Sequence, residues 1–237
     1  MTRSRSFTRK VLALARVAGE LDYLERVVGL IPELDVDAVL LVGDLAGKAN
    51  KADTYRAVFR SLGRSPVPSF YVPGPNDAPV EEYLREAYNV EIVFPYLHGV
   101  HGGFAFAPGH VLVAGMGGLI HDGDAAREER ERLSYPAWEV EYRLKVLSEL
   151  KDYQKVFLFA TMPAHKGLGE AGSEELAELI KTHNPRAVLV YDPSFTASTF
   201  KHETLGKSLV VVPGALAEGD FAVVDLHDGK IETGNVR

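Results

Sequence analysis

The sequence predicts an α/β protein in which two sheets pack face to face with helices outside, a four-layer α/β/β/α sandwich. Strand-like and helix-like segments alternate over residues 10–88, which is typical of a parallel sheet with helices on its faces. Short strands separated by glycines then follow without helices. A further set of strands and helices completes the chain, and these elements are expected to form the second sheet.

The first half of the chain alternates between apolar runs and helical stripes. Apolar runs predict buried strands, and apolar residues three or four positions apart predict helices that pack through one face. The predicted strands are Lys10–Ala15, Val36–Val42 and Pro68–Val72. The predicted helices are Gly19–Leu30, Lys51–Leu62 and Val80–Tyr88.

The second half is predicted from shorter segments. A helix over Tyr135–Leu150 is indicated by an apolar stripe of Val140, Leu144 and Leu147. The charged segment before it, residues 123–132, is predicted to be a solvated loop or the start of a helix. The other predicted elements are the strands Glu91–Val93, Phe104–Ala107, Val111–Gly115, Val156–Ala160, Ala187–Tyr191 and Ser208–Pro213, the helix Ser173–Thr182, and a hairpin of Phe221–Leu226 with Lys230–Thr233.

Composition limits the class of protein. A chain of 237 residues with 46% hydrophobic side chains can bury the core of one domain, and no linker or repeat divides it. We therefore predict a single domain over residues 1–237, with a helical insertion near residues 123–152. Zero cysteines exclude disulfides and thiolate chemistry, and the net charge of −7 argues against nucleic acid as the main partner.

The sequence also indicates where in the cell the protein resides and what kind of organism it comes from. No apolar run approaches the ~20 residues that span a bilayer, so no membrane association is expected. The basic start, Met1–Lys10, lacks the apolar region of a signal peptide, which favours a cytoplasmic protein. A single Gln, abundant Glu and Arg, and 13 Pro are typical of a thermophile.

Two neighbouring strands of the predicted first sheet end in glycine turns with polar residues. Gly43-Asp44 follows one strand and the tract G-P-N-D, residues 74–77, follows the next. Such strand ends meet at one sheet edge, where α/β folds place their ligands. The turns resemble the calcineurin-like metallophosphoesterases, whose signature runs D-x-H, G-D, G-N-H-[DE], a lone His and G-H-x-H. Five strand-plus-turn segments occur in the family's order, including a closing Pro213-Gly214.

The resemblance implies a centre in which two cations clamp a phosphate and generate hydroxide. It places Asp44 at the bridging position of that centre. In the first motif, Arg16 stands where the family has Asp and Ala18 stands where it has His. In the third motif, Asn76 replaces the His that protonates the leaving group, and Asp77 is the acid that supports this His.

The later motifs depart from the family in the same way. Ala160 stands where the lone His belongs, and the tract Y-D-P-S-F, which contains Asp192, replaces G-H-x-H. Asp44 is then the one expected metal ligand that is kept. The resemblance therefore implies a degenerate metal site with no resident cofactor, in which Asp44 leaves room for a single weakly bound divalent cation.

Other side chains are candidates for a rebuilt site. His165 and Lys166 follow the fourth strand-plus-turn segment, and His202 follows the last lost motif, so each could approach the cleft and bind an anion or one weak cation. The pair His98 and His101 has ligand-like spacing, but it is interpreted as a surface pair. Arg16 is expected to pair with Asp44, because an unpaired carboxylate in a cleft is costly.

Three functions are compatible with these residues. The first is a pseudoenzyme that keeps the phosphoesterase scaffold for binding or assembly. The second is a working hydrolase with one cation on Asp44, helped by His165 or His202. The third is a sensor that binds a small anion or a nucleotide between Arg16 and Lys166. The number of lost ligands favours the first and third functions over the second.

The Tyr135–Leu150 helix predicts a homo-oligomer. Trp138 and Tyr142 form a second apolar face beside the core stripe, and a helix that docks on a single core needs only one. Trp and Tyr are enriched where protein surfaces meet. The alternative is that the two aromatics pack over Tyr135, Pro136 or the preceding loop.

Overall fold

The structure is a computed structural model that describes residues 7–47, 51–169, 172–191 and 200–237. The described strands are β1 (Lys10–Ala15), β2 (Ala38–Val42), β3 (Ser69–Val72), β4 (Leu97–Gly99), β5 (Gly103–Ala107), β6 (Val111–Met116), β7 (Leu119–His121), β8 (Ser134–Pro136), β9 (Lys155–Phe159), β10 (Ala187–Val190), β11 (Phe200–Leu205), β12 (Ser208–Pro213), β13 (Asp220–Asp225) and β14 (Ile231–Asn235). The described helices are α1 (Leu21–Gly29), α2 (Ile31–Leu34), α3 (Lys51–Gly63), α4 (Val80–Glu91), α5 (Ala137–Leu144) and α6 (Glu174–His183), with 3₁₀ turns at Lys145–Ser148 and Leu216–Glu218.

Two six-stranded sheets form the centre of the fold. The first has the order β14-β13-β1-β2-β3-β4, and β1 to β4 run parallel. The second has the order β11-β12-β10-β9-β6-β5, in which the four inner strands are parallel and the two edge strands are antiparallel to their neighbours. A short parallel pair, β7 and β8, lies apart from both.

The side chains of β2 show how the layers form. All five residues of this A-V-L-L-V strand are buried, as expected for a parallel strand covered on both faces. Val39 and Leu41 pack in the cluster that includes α1, α3 and α4, whereas Leu40 and Val42 pack in the cluster between the two sheets. A third cluster joins the second sheet to α5 and α6. The predicted α/β/β/α sandwich is therefore confirmed.

Two predicted elements differ from the structure. The strand predicted at Glu91–Val93 is wrong, because α4 continues to Glu91 and buries Tyr83, Ala87 and Val90 at helical spacing. The fourth strand of the first sheet is instead β4. The helix predicted over Tyr135–Leu150 is shorter: it begins at Ala137, since Tyr135 belongs to β8, and it ends at Leu144, where a 3₁₀ turn of Lys145–Ser148 follows. Its predicted core stripe is confirmed, because Val140, Leu144 and Leu147 are buried.

The sequence also left some strands unpredicted. β11 reads F-K-H-E-T-L and lies half exposed at a sheet edge, so no apolar alternation marked it. β7 and β8 have only three residues each and pair with one another, so their sequences are too short to show a strand pattern. Within the described ranges, every helix is too short or too polar to cross a lipid bilayer.

Candidate functional site

The loops after β1 and β2 are joined through their backbones at the carboxyl edge of the first sheet. The Ala18 N–H donates to the Asp44 carbonyl at 2.7 Å, and the Gly19 N–H donates to the Leu45 carbonyl at 3.2 Å. Arg16, Ala18 and Asp44 all have left-handed backbone conformations, with φ of 52°, 49° and 24°. Non-glycine residues rarely adopt such angles, which persist where the surrounding contacts enforce them. The two loops are therefore held in a strained arrangement.

The Asp44 carboxylate is buried, with 4% of the residue exposed, and receives three hydrogen bonds. The Asn76 backbone N–H donates to Oδ1 at 3.0 Å, and the Asn76 side-chain amide donates to Oδ2 at 2.8 Å. The Tyr191 hydroxyl, at the end of β10 in the other sheet, donates to Oδ2 at 2.9 Å. These bonds connect the first sheet to the second across the site.

Two glycines permit this close packing. A Cβ atom on Gly43 would overlap the Tyr191 ring, and one on Gly74 would overlap the backbone nitrogen and the carboxylate of Asp44. Gly43 also has a φ of 75°, which L side chains rarely adopt. Gly43 is thus required by the close approach of Tyr191, and Gly74 by the close approach of the loop after β3 to Asp44.

The Asp77 carboxylate is fully buried and is surrounded by donors from three segments. It accepts hydrogen bonds from the backbone N–H groups of Leu45, Ala46 and Gly74 at 2.7–3.1 Å, and from the Tyr55 hydroxyl of α3 at 3.0 Å. Burial, and next the nearby Asp44 carboxylate, raise the pKa of Asp77 to about 6, against the lowering effect of the backbone amides. Burial beside this carboxylate also raises the pKa of Tyr55.

Sequence reasoning brought some of these residues together and missed others. Asp44, Asn76 and Asp77 do converge in the described structure. Tyr191 ends a predicted strand and begins the tract that replaces G-H-x-H, and Tyr55 lies in the predicted helix Lys51–Leu62, but neither hydroxyl is predicted to belong to the site. The available signal for Tyr191 was a tyrosine at the end of a buried strand that the resemblance directs to the site.

The expected pair between Arg16 and Asp44 is wrong. Among the ion pairs of the described ranges, none joins these two residues, and Arg16 itself is half-buried. Asn76 and Tyr191 instead fill the hydrogen-bonding positions of the Asp44 carboxylate. Ala160 directly follows β9 and is completely buried in the cluster between the sheets.

The candidate substitute ligands make other contacts. His165 accepts the Gly167 N–H through Nδ1 at 3.2 Å, which closes a local turn, and Lys166 is exposed. His202 is exposed on β11 and its ring lies 5.5 Å from that of Phe200. Asp192 lies outside the described residues.

The surface-pair interpretation of His98 and His101 is wrong for His101. The Gly117 N–H donates to its Nδ1 at 3.0 Å, which assigns the ring proton to Nε2, 3.2 Å from the Tyr135 hydroxyl. Tyr135 in turn donates to Glu129 at 2.9 Å. Burial, and next the Arg143 charge, lower the pKa of His101 to about 4. His101 is therefore a half-buried, neutral residue that connects the segment before β5 to the β7–β8 segment.

No cluster of three or more His, Cys, Asp or Glu side chains suited to a metal ion occurs in the portion of the chain that the structure describes. Asp44 and Asp77 are close, but each carboxylate is surrounded by hydrogen-bond donors. The described site can therefore hold its two loops together, with the Asp44 carboxylate buried and Asn76 exposed at the loop edge.

The sandwich and the site at its loop edge define a protein of the phosphoesterase type. The chain belongs to the metallophosphoesterases of the calcineurin superfamily, whose family model matches residues 1–236. It is similar to TT1561 of Thermus thermophilus, at 53% identity and a TM-score of 0.91, with 98% of this chain and 100% of that chain covered. A second solved structure is 31% identical, with a TM-score of 0.84 and the same coverage of both chains. The search of curated proteins gave no match.

Proposed function

We propose that this chain is a metallophosphoesterase-fold protein without two-metal chemistry, and that it binds a small anion or a nucleotide in the cleft between the sheets. The observation that carries the proposal is the Asp44 carboxylate, which accepts hydrogen bonds from Asn76 and Tyr191 where the family's bridging carboxylate would hold cations. Amide and phenol donors then take the electrostatic role that the cations would have.

The donor set at Asp44 does not fit a two-metal centre. Such a centre needs several carboxylates and imidazoles around one bridging carboxylate. The Asn76 amide presents its N–H₂ to Asp44, and the backbone N–H of the same residue binds the other oxygen. A reversed amide would place two acceptors together. The second buried carboxylate, Asp77, already accepts bonds from three backbone amides and the Tyr55 hydroxyl.

Arg16 and Lys166 support an anion as the ligand. Each follows a strand end, Arg16 from the first sheet and Lys166 from the second, and neither has an acidic partner among the described ion pairs. A phosphate group would supply the acceptors that a guanidinium and an ammonium need.

A phosphoesterase that works with one cation on Asp44 is the second candidate. The observation in its favour is the proximity of the two carboxylates, since Asp44 contributes to the raised pKa of Asp77. A divalent cation would relieve that repulsion. It would have to displace the Asn76 amide or the Tyr191 hydroxyl from Asp44, and for this reason we rank it second.

Turnover of an aryl phosphodiester separates these candidates. With bis(p-nitrophenyl) phosphate and added Mn²⁺, Ni²⁺ or Mg²⁺, we expect the same rate for the parent protein and for Asp44→Ala, because leaving-group protonation and hydroxide generation lack their residues. Calorimetry with Mn²⁺ alone should give no heat that Asp44→Ala removes. Metal-dependent turnover that is lost in Asp44→Ala would establish the single-metal enzyme instead.

Anion binding is tested separately by calorimetry with inorganic phosphate and with a nucleoside monophosphate. We expect Arg16→Ala and Lys166→Ala each to weaken binding about 10-fold or more, the cost of one charge-assisted hydrogen bond. Lys207→Ala, a change of the same type at an exposed lysine between β11 and β12, is the matched control. Binding that is absent in the parent protein, or equal in all variants, would remove the anion from the proposal and leave the non-catalytic scaffold.

We also propose that the protein is a cytoplasmic, heat-stable homo-oligomer. The support for assembly is the exposure of the second aromatic face of α5, with Trp138 57% and Tyr142 73% exposed. The alternative packing of these rings over the local loop would bury them. The similarity to a Thermus protein and the composition support heat stability.

A further inference from the structure

β5 leaves one edge of the second sheet open. It is the last strand in the order of that sheet, and the described residues place no strand beyond it. Its sequence, G-F-A-F-A, has no charged residue and no proline. Proteins usually protect such edges with charges, prolines, bulges or a covering element, because an open edge offers its backbone to another strand. The sequence of β5 therefore lacks the two protective features that a sequence can show directly, charged residues and proline.

One face of β5 lies on the side of the second sheet that packs against α5 and α6, but these helices do not fully cover it. Phe104 pairs with Ala114 and Phe106 with Leu112, and both partners lie in the cluster packed under α5 and α6. The two phenylalanines therefore point to the same side as that core, yet they are 37% and 41% exposed. The Phe106 ring contacts those of Phe104 and Tyr153 at centroid distances of 5.9 and 5.1 Å.

α5 borders this uncovered face. The Arg143 side chain lies against Gly102, directly before β5, so the helix ends close to the open strand. Trp138 and Tyr142 of the same helix are exposed. The rings of Phe104, Phe106 and Tyr153 contact one another and form one apolar surface, here named the β5 face. Trp138, Tyr142 and Val146 are further exposed apolar side chains on residues 137–148.

We infer that the β5 face binds a second copy of this chain, whose β5 adds antiparallel to the first. The reason for this partner is the sequence of the strand. F-A-F reads the same in both directions, so a two-fold axis at Ala105 sets Phe104 opposite the partner's Phe106 on one face. The strand is uncharged although the chain carries a net charge of −7, so two copies can approach here with little repulsion. The inference rests on the proposed homo-oligomer, and it specifies the two-fold axis of the dimer and the register in which the two β5 strands pair.

Charge substitutions at 104 and 106 test the register, with mass measured by light scattering at micromolar concentration. We expect the parent protein at twice the 25.9 kDa of one chain. Phe104→Lys with Phe106→Lys should give monomers, because the two-fold axis sets like charges opposite one another. Phe104→Lys with Phe106→Glu should restore the dimer, since lysine then faces the partner's glutamate.

The remaining outcomes all decide the question. A parent monomer would overturn the interface and the homo-oligomer together. A dimer that survives the double lysine variant would overturn the β5 interface. If Trp138→Ala with Tyr142→Ala then dissociates it, assembly stays on the helix alone. A lysine–glutamate variant as monomeric as the double lysine variant would overturn the two-fold register. Tyr88→Lys, an exposed aromatic on α4, is the control, and circular dichroism checks each fold. None of these readouts depends on metal or anion binding, so the site proposal fails or stands separately.

Discussion

Replacement of Asp77 by Asn tests how the buried carboxylate pair is balanced. The substitution keeps the shape of the side chain and removes its charge. One carboxylate oxygen that accepts N–H or O–H donors becomes an N–H₂ group that faces them. The donors are the Leu45, Ala46 and Gly74 amides and the Tyr55 hydroxyl. At least one of them then loses its partner in a fully buried position.

Two effects of opposite sign set how much Asp77→Asn changes the free energy of unfolding: the lost hydrogen bond and the removal of a group with a raised pKa. A buried donor without a partner costs about 1–3 kcal/mol, so Asp77→Asn should lower the free energy of unfolding by about 1–3 kcal/mol near pH 4.5. The pKa of Asp77 is about 6 in the folded protein against an ordinary value of 3.8. The folded state thus holds the proton that the unfolded chain has lost, and stability falls as the pH rises through this window. Between pH 4.5 and 7 the fall is about 2 kcal/mol.

The measurement is urea unfolding followed by circular dichroism at several pH values between 4.5 and 7. Because Asn does not titrate, the stability difference between parent and variant should shrink by about 2 kcal/mol as the pH rises. Asp37→Asn is the control for a buried aspartate outside the site that accepts the Arg9 and Lys10 amides. A difference that stays constant or grows with pH would refute the reasoning and show that the backbone amides outweigh burial and the Asp44 charge.

Two further predictions concern single contacts. Tyr191→Phe removes one donor to the Asp44 carboxylate and should lower the free energy of unfolding by about 1.5–3 kcal/mol, whereas Tyr142→Phe at an exposed position should change it little; equal effects would contradict the role of Tyr191. His101→Gln removes a group whose pKa is about 4 when folded, below its ordinary 6.5, so the parent's stability advantage should grow by about 1.5 kcal/mol as the pH rises from 5 to 6.5. The same urea series measures both, and a pH slope of the same sign as that of Asp77→Asn would contradict the second.

The elements that were predictable are those whose sequence signal is local. β1, β2 and β3 are apolar runs buried on both faces, so composition alone marks them. β11 was not predictable, because its polar residues lie on an edge strand and its pairing with β12 depends on backbone hydrogen bonds. The end of α4 was ambiguous because Glu91–Val93 has β-prone residues, and helical burial of Val90 decides it.

The site was predictable where motifs carried it. The resemblance brought Asp44, Asn76 and Asp77 to one edge, and in the structure Asn76 donates to Asp44 while Asp77 accepts from the N–H of Leu45, the residue after Asp44. It directed the end of β10 to the site but could not indicate that the Tyr191 hydroxyl donates to Asp44, because that bond depends on how the two sheets pack. The Arg16 pair failed for a related reason: charge complementarity was considered, but neutral donors from two other segments already satisfy the carboxylate.

The two retained aspartates have a structural explanation that needs no chemistry. Asp77 joins the loop after β2 to the loop after β3 and to α3, through Leu45, Gly74 and Tyr55. Asp44 joins the loop after β3 to the end of β10 in the opposite sheet. Loss of the Asp77 carboxylate would leave several buried donors without partners, at about 1–3 kcal/mol each, and loss of the Asp44 carboxylate would leave the buried Tyr191 hydroxyl without one. The G-D and final D of the family's motifs can therefore persist as cross-links between loops, and their presence in a sequence is by itself no sign of a working metal centre.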